Sequence, residues 1–323
     1  MKKLALLLLF LFTLAVASLS WGAAEISNPW SYVLNPFFEM QSAAHQIIWD
    51  IRAPRIAAAI LVGASLGLAG VLAQGSTNNP IADPAILGTS AGAALGVLIG
   101  VIFNLVDIGS VGAVIFATFG ALLATLLSFS LARSALQLIT IGIGVSAILT
   151  AIVGLAITIL ARPDARSITF WSLGSMALVT SDGLWIMLPV LFAAAVIAWN
   201  MAPLLDLLSL GDASVRHIGH NPQQIRLRAF VVLSTLVAVS VSTVGSIAFL
   251  ALAAPHIARY INGPRTRSLI IYAATIGALI LLIADTAARA LFPPNELPIG
   301  LLTSLIGAPI LILTLKRGGQ VWR

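Results

Sequence analysis

The run Gly88-Thr-Ser-Ala-Gly92 matches G-x-S-x-G, a pattern that presents a serine nucleophile on a tight turn. With His256 as base on another segment, it could support the acyl transfer of a rhomboid-like intramembrane serine protease. The soluble form of that pattern sits between a strand and a helix. Here it lies in a glycine-rich stretch with helical spacing, so no catalytic residue is expected. Asp285 and Arg289 form a second constellation, four residues apart and able to pair on one helix face. Asp285 is also the carboxylate that an ion-coupled secondary transporter could use near the bilayer midplane. Asn79, Pro80, Asp83 and Pro84 form a third, a polar turn where Asn-Pro and Asp-Pro oppose helix. No Walker A loop, dinucleotide fingerprint or metal-ligand cluster occurs. The chain is expected to bind no cofactor or metal, and powered movement would need a motor elsewhere or an ion gradient.

The elements that hold these groups follow from composition. Of 323 residues, 59% are hydrophobic and 9% charged, against roughly 25% charged in soluble domains. Most of the surface must therefore face lipid. The apolar blocks are continuous rather than alternating, which favours helices of about 20 residues over a barrel. Spans are expected near 4–20, 56–75, 86–105, 111–131, 138–161, 184–203, 229–250, a short one at 251–260, then 268–291 and 299–315. These ten make an all-α polytopic protein with a single membrane domain, 1–323. The first resembles a signal peptide, but Lys2 and Lys3 orient a retained span equally well, and a span is expected. Cysteine is absent, which excludes disulfides and thiolate sites. The net charge of +6 does not indicate nucleic acid, because the basic residues sit between spans.

Charge orients the spans. With the N-terminus inside, Lys2, Lys3, Arg133, Arg216, Arg226, Arg228, Arg259, Arg265, Arg267, Lys316, Arg317 and Arg323 fall inside. Arg52, Arg55, Arg162, Arg166 and Arg289 fall outside, a division the positive-inside rule supports. Basic flanks on both sides of 229–258 require two crossings there, with Gly245 and Pro255 as expected breaks. Gly88, Gly92, Gly96 and Gly100 recur every four residues and should allow another helix to approach at backbone distance. Gly142, Ser146, Thr150, Gly154 and Thr158 repeat the device. The segment 21–50, with Trp30, Tyr32, Phe37 and Phe38, suits the outer interface. Between two long spans lies the polar insert LGDASVRHIGHNPQQIRLR, 210–228. There Asp212 can cap a short helix, Gly219 and Asn221-Pro222 can end it, and Arg216 supplies surface charge.

Several separate motifs resemble FecCD-type permeases of ATP-binding-cassette importers. IRAPRIAAAILVGASLGLAGVLAQG is similar to the family's R-x-P-R approach to the second span. NNPIADPAILGTSAGAALG, RSITFWSLGS, GSIAFLALAAPHIAR and ADTAARALFPPNELPIGLLTSLIGAPI resemble four further blocks, with Ala248 and Ala251 replacing two family glycines. The resemblance covers nearly the whole chain. It implies a type II importer permease fold of ten helices, dimeric with itself or a close relative, in a bacterial or archaeal cytoplasmic membrane with both termini cytoplasmic. Its implied partners are two cytoplasmic ATPase subunits, which carry the ATP and magnesium, and an extracytoplasmic solute-binding protein. Its cargo would be an iron chelate, haem or cobalamin. It implies that a segment at about 204–228 couples to the ATPase through Leu210, Gly211, Asp212, Arg216, Gly219, Asn221 and Pro222. It implies docking of the binding protein by Arg52, Arg55 and Arg289. On this reading the fifth and tenth spans are expected along the pathway, with Gly142, Ser146, Thr150, Thr303 and Ser304 as liners and an inner gate at Asn79 and Ile81 with the turn of Ser134, Leu136 and Gln137.

Overall fold

The structure, a computed structural model, describes residues 2–22, 24, 26–35, 37, 40, 42–132, 134–159, 165–179, 181–291 and 296–317. Ten helices coincide with the ten expected spans: α1 (Lys2–Ser20), α2 (Ala53–Thr77), α3 (Thr89–Ile102), α4 (Val111–Leu131), α5 (Ala135–Ile159), α6 (Ser181–Leu208), α7 (Pro222–Val244), α8 (Leu250–Asn262), α9 (Thr266–Ala290) and α10 (Ile299–Arg317). Among the described residues, seven helices are long and apolar enough to cross a membrane. Thr89–Ile102 and Ile299–Pro309 are shorter apolar stretches, and α8 has only 13 residues. At 1.5 Å per residue, α8 reaches about 20 Å, short of a 30 Å hydrocarbon core.

The bundle centres on α2, α7 and α9, which are mostly buried, while α1, α5 and α6 are largely exposed. Without a hydrophobic force between helices in lipid, close packing must supply the cohesion. Glycine supplies it at two crossings. A methyl group at Gly63 or Gly67 would strike the carbonyls of Gly277 and Ala273, so α2 and α9 touch backbone to backbone. On α3, Gly92 and Gly96 meet the carbonyls of Gly120 and Phe116 on α4, and Gly100 meets Val106 and the Phe116 ring. The expected glycine face is therefore a packing face. Gly88 is not part of it: with φ +83° it is the left-handed residue that starts α3.

The region 229–258 folds as two helices, the long α7 and the short α8. The chain breaks over 245–249, where Gly245 (φ 75°) and Phe249 (φ 64°) both adopt the left-handed region. Pro255 is not a break but lies inside α8, against Gly70 of α2. The turn after the short helix Ala165–Ser172 pins this break: Ser175 N–H donates to Val244 O (2.8 Å), and Ile299 N–H donates to Gly174 O (2.8 Å). One turn thus fixes both the α7–α8 break and the start of α10.

Candidate functional site

At one end of the bundle, Arg55 Nε donates to Asp285 Oδ1 (2.7 Å) and Arg55 Nη1 donates to Glu296 (2.8 Å to Oε2). Arg289 Nε donates to Asp285 Oδ2 (3.2 Å), which realises the expected i,i+4 pair. Arg289 also donates to Ser18 Oγ (2.7 Å) and Trp21 O (3.0 Å). Arg52 donates to Leu19 O (2.8 Å) and Ala24 O (2.7 Å). Asp285 is fully buried, and the three arginines are 3–5% exposed. The expectation that Arg52, Arg55 and Arg289 present charge to a docking partner is thus corrected. Their guanidinium groups turn inward because the C-terminal end of α1 and the carboxylates of Asp285 and Glu296 lie within reach. Asp285, held by two arginines at one end of the bundle, is also unlike the mobile midplane carboxylate of an ion-coupled carrier.

The opposite end carries the polar insert. A six-residue helix, Asp212–His217, follows Gly211 (φ +89°) and ends in a Schellman turn. There Gly219 N–H donates to Arg216 O (3.0 Å) and His220 N–H to Val215 O (3.1 Å), with Gly219 at φ +89°. Asp212 does not cap this helix; Gly211 stands at the cap. Asp212 instead accepts a two-pronged contact from Arg226 (2.6 and 2.9 Å), whose Nε donates to Ser76 O at the end of α2 (3.0 Å). Those hydrogen bonds hold the Asp212 carboxyl below its ordinary pKa, with burial opposing them and the Arg226 and Arg216 charges adding to them. Asn221 and Pro222 do not end the short helix. They begin α7, Asn221 accepting from Gln223 N–H (3.0 Å) and Pro222 filling the first position. Val215 is fully buried and anchors the insert, while Leu210 (60%) and Ile218 (55%) are exposed beside Arg216 and Gly219.

At this same end runs the turn between α2 and α3. Asn78 closes α2 in the left-handed region (φ 49°), and Asn79 Oδ1 accepts from Ile81 N–H (3.1 Å). Ile81 is 43% exposed. Asp83 caps the 3-10 turn Pro84–Leu87 by accepting from Ala85 N–H (2.8 Å). Burial pushes the Asp83 carboxyl up to about 6, against the lowering effect of that hydrogen bond. The folded state therefore binds this proton more tightly than the unfolded chain. The group stabilises the fold least above about pH 6, and stability recovers as pH falls through the window below. Asp83→Asn should melt higher than the parent at pH 7.5, with the gap closing as pH falls towards the ordinary aspartate value. A pH-independent gap in melting temperature would show that charge at Asp83 is not the cause.

Beside this turn, Ser146 and Thr150 of α5 line an open groove of about 610 Å³ with Ala85, Ile86 and Ile143. Two expected liners lie elsewhere. Gly142 is buried against the backbone of Ile86 and Leu87, so it is a packing glycine. Thr303 is 2% exposed, and its hydroxyl donates to Gly300 O (3.1 Å). Ser304 is half-buried and donates to the same carbonyl (2.7 Å). Ser134 is exposed at the start of α5 and accepts from Gln137 N–H (3.2 Å); the Leu136 side chain lies outside the described residues. Ser90 is buried in the first turn of α3. Sequence reasoning missed the Gly63/Gly67/Gly70 face and Arg226. The first was readable from its spacing; the second had no local signal.

Helices in backbone contact, a mostly apolar groove carrying Ser146 and Thr150, and a clamped polar insert are the features of a helical membrane protein. The chain belongs to the FecCD transport family, whose model matches residues 6–317. It is 34% identical over 309 residues to the iron(3+)-hydroxamate import system permease protein FhuB of Bacillus subtilis, covering 94% of this chain and 80% of that one. It is 34% identical over 323 residues to the hemin transport system permease protein HmuU of Yersinia pestis, covering 97% and 95%. A solved metal-chelate-type ABC transporter in an inward-facing conformation matches with TM-score 0.85 and 31% identity, over 98% of this chain and 99% of that one. The chain is accordingly a multi-pass membrane permease of the ABC importer class, and its fold is all-helical.

Proposed function

We propose that this permease moves an iron chelate, haem or cobalamin inward across the cytoplasmic membrane by alternating access, as one half of a dimer. The observation that carries the reading is the insert. It presents Leu210 and Ile218 to solvent on either side of a short helix clamped by Asp212–Arg226 to the end of α2. Exposed apolar side chains on a rigid polar element suit a groove on a partner, here two cytoplasmic ATPase subunits that carry ATP and magnesium. The clamp runs through Ser76 directly to the Asn79–Ile81 turn. Movement of the insert would therefore shift that turn, which we assign as the inner gate. Both termini would lie in the cytoplasm, and a binding protein would deliver cargo at the Arg55–Asp285 end. Ser146, Thr150 and Ser304 would line the pathway, completed by the second permease subunit. The relatives' cargoes support the chelate class.

Gly219→Leu tests the coupling role. Left-handed backbone costs a non-glycine residue about 1–2 kcal/mol, and nothing lies within 4 Å of Gly219, so the strain stays in the exposed turn. ATPase co-purification and cargo-stimulated ATP hydrolysis in liposomes should fall, while the melting temperature of the permease alone changes little. Parent-like values for both coupling measurements would refute the assignment.

A further inference from the structure

A second cavity, of about 460 Å³, opens at the insert end between the ends of α2 and α6 and the α8–α9 turn. Its polar wall includes Gln74, Asn78, Asp206, Arg259, Arg265 and Thr266. Val71, Leu205 and Leu269 give it an apolar floor. The residues are held in place from within. Arg259 Nη1 donates to Gln74 Oε1, and Gln74 Nε2 donates to Leu252 O (3.4 Å). Asp206 of α6 is engaged at the start of α9, accepting from both the N–H and the hydroxyl of Thr266. Two guanidinium groups against one committed carboxylate leave the cavity cationic. Its volume falls in the range of ligand pockets, about 300–1,000 Å³.

The surroundings fix its depth. Tyr260, one residue from Arg259, is 81% exposed. Two residues beyond Arg265, the Arg267 guanidinium lies 5.7 Å over the ring of Trp199, itself 40% exposed. Exposed tyrosine and tryptophan with adjacent arginine mark the headgroup layer. Lys3 Nζ, donating to Ile261 O (2.8 Å), adds a further cation at the same level. A cationic pocket with an apolar floor, beside these headgroup-level residues, has the chemistry of a phospholipid site.

We propose that this cavity holds the phosphate of an anionic phospholipid headgroup between Arg259 and Arg265, with the glycerol end of its chains on the apolar floor. The bound lipid would bridge the Asn78–Pro80 turn, the end of α6 and the start of α9. The phosphate chemistry is shared by free anions, so the test separates the two sources. The full chain in detergent is melted with added phosphatidylglycerol, phosphatidylcholine or millimolar inorganic phosphate. Phosphatidylglycerol should raise the melting temperature saturably, and the other two should not. Arg265→Gln should weaken the half-saturating lipid concentration about five-fold, the effect of one surface cation. Arg228→Gln, an exposed cation outside the cavity, and Arg265→Lys should leave it near the parent value. Equal shifts with phosphatidylcholine, or an unaltered Arg265→Gln response, would overturn the site. A shift reproduced by inorganic phosphate alone would overturn the lipid as its occupant.

Discussion

Arg55→Glu should leave little folded permease. Removing one partner from a buried ion pair costs about 3–5 kcal/mol, and this change also places a new carboxylate against Asp285 and Glu296. Asp285 would keep only Arg289, at 3.2 Å. The neutral Asp285→Asn should be milder, because Arg55 retains Glu296. The measurement is the monodisperse yield and melting temperature in detergent. Parent-like melting combined with slowed association of a binding protein would return the arginines to a docking role.

Gly67→Leu should be comparably severe. A side chain there meets the Ala273 carbonyl, and neither helix can retreat, because Gly63 and Gly277 interlock one turn away. Overpacking typically costs about 1–3 kcal/mol and more where backbone is struck. Gly144→Leu is the matched control: nothing lies within 4 Å of Gly144, which is exposed on α5 off the Ser146–Thr150 face. That variant should melt within about 0.5 kcal/mol of the parent. Equal losses at both positions would mean that helix flexibility, rather than the α2–α9 contact, is what glycine provides.

What could be read in advance follows from range. The ten spans were legible because an apolar run and its basic flanks are local features, and Gly92, Gly96 and Gly100 were legible because helix spacing puts them on one face. The roles of Arg52, Arg55 and Arg289 were not. An arginine on the depleted side calls for an acceptor, but backbone carbonyls at Leu19, Trp21 and Ala24 leave no mark in residue type. Asp212 was misassigned for the same reason, its arginine lying 14 residues on in the next helix. Gly142 and Thr303 occur in stripes that look alike whether they face a pathway or a neighbour. Only the placement of Ile86 against Gly142 and the burial of Thr303 separate the cases.

The charge cluster also sets an order of events during synthesis. Arg55 emerges 230 residues before Asp285, and Ser18 precedes Arg289 by 271. At about 5–20 residues per second, Arg55 waits roughly ten to fifty seconds for its carboxylate. For that interval Arg55 lacks its carboxylates, and Arg52 alone holds the C-terminal end of α1, through Leu19 O and Ala24 O, with Ser18 still waiting for Arg289. Arrival of the ninth span closes both accounts at once. The last third of the chain therefore decides whether the first helix is kept in register or left to the quality-control machinery of the membrane.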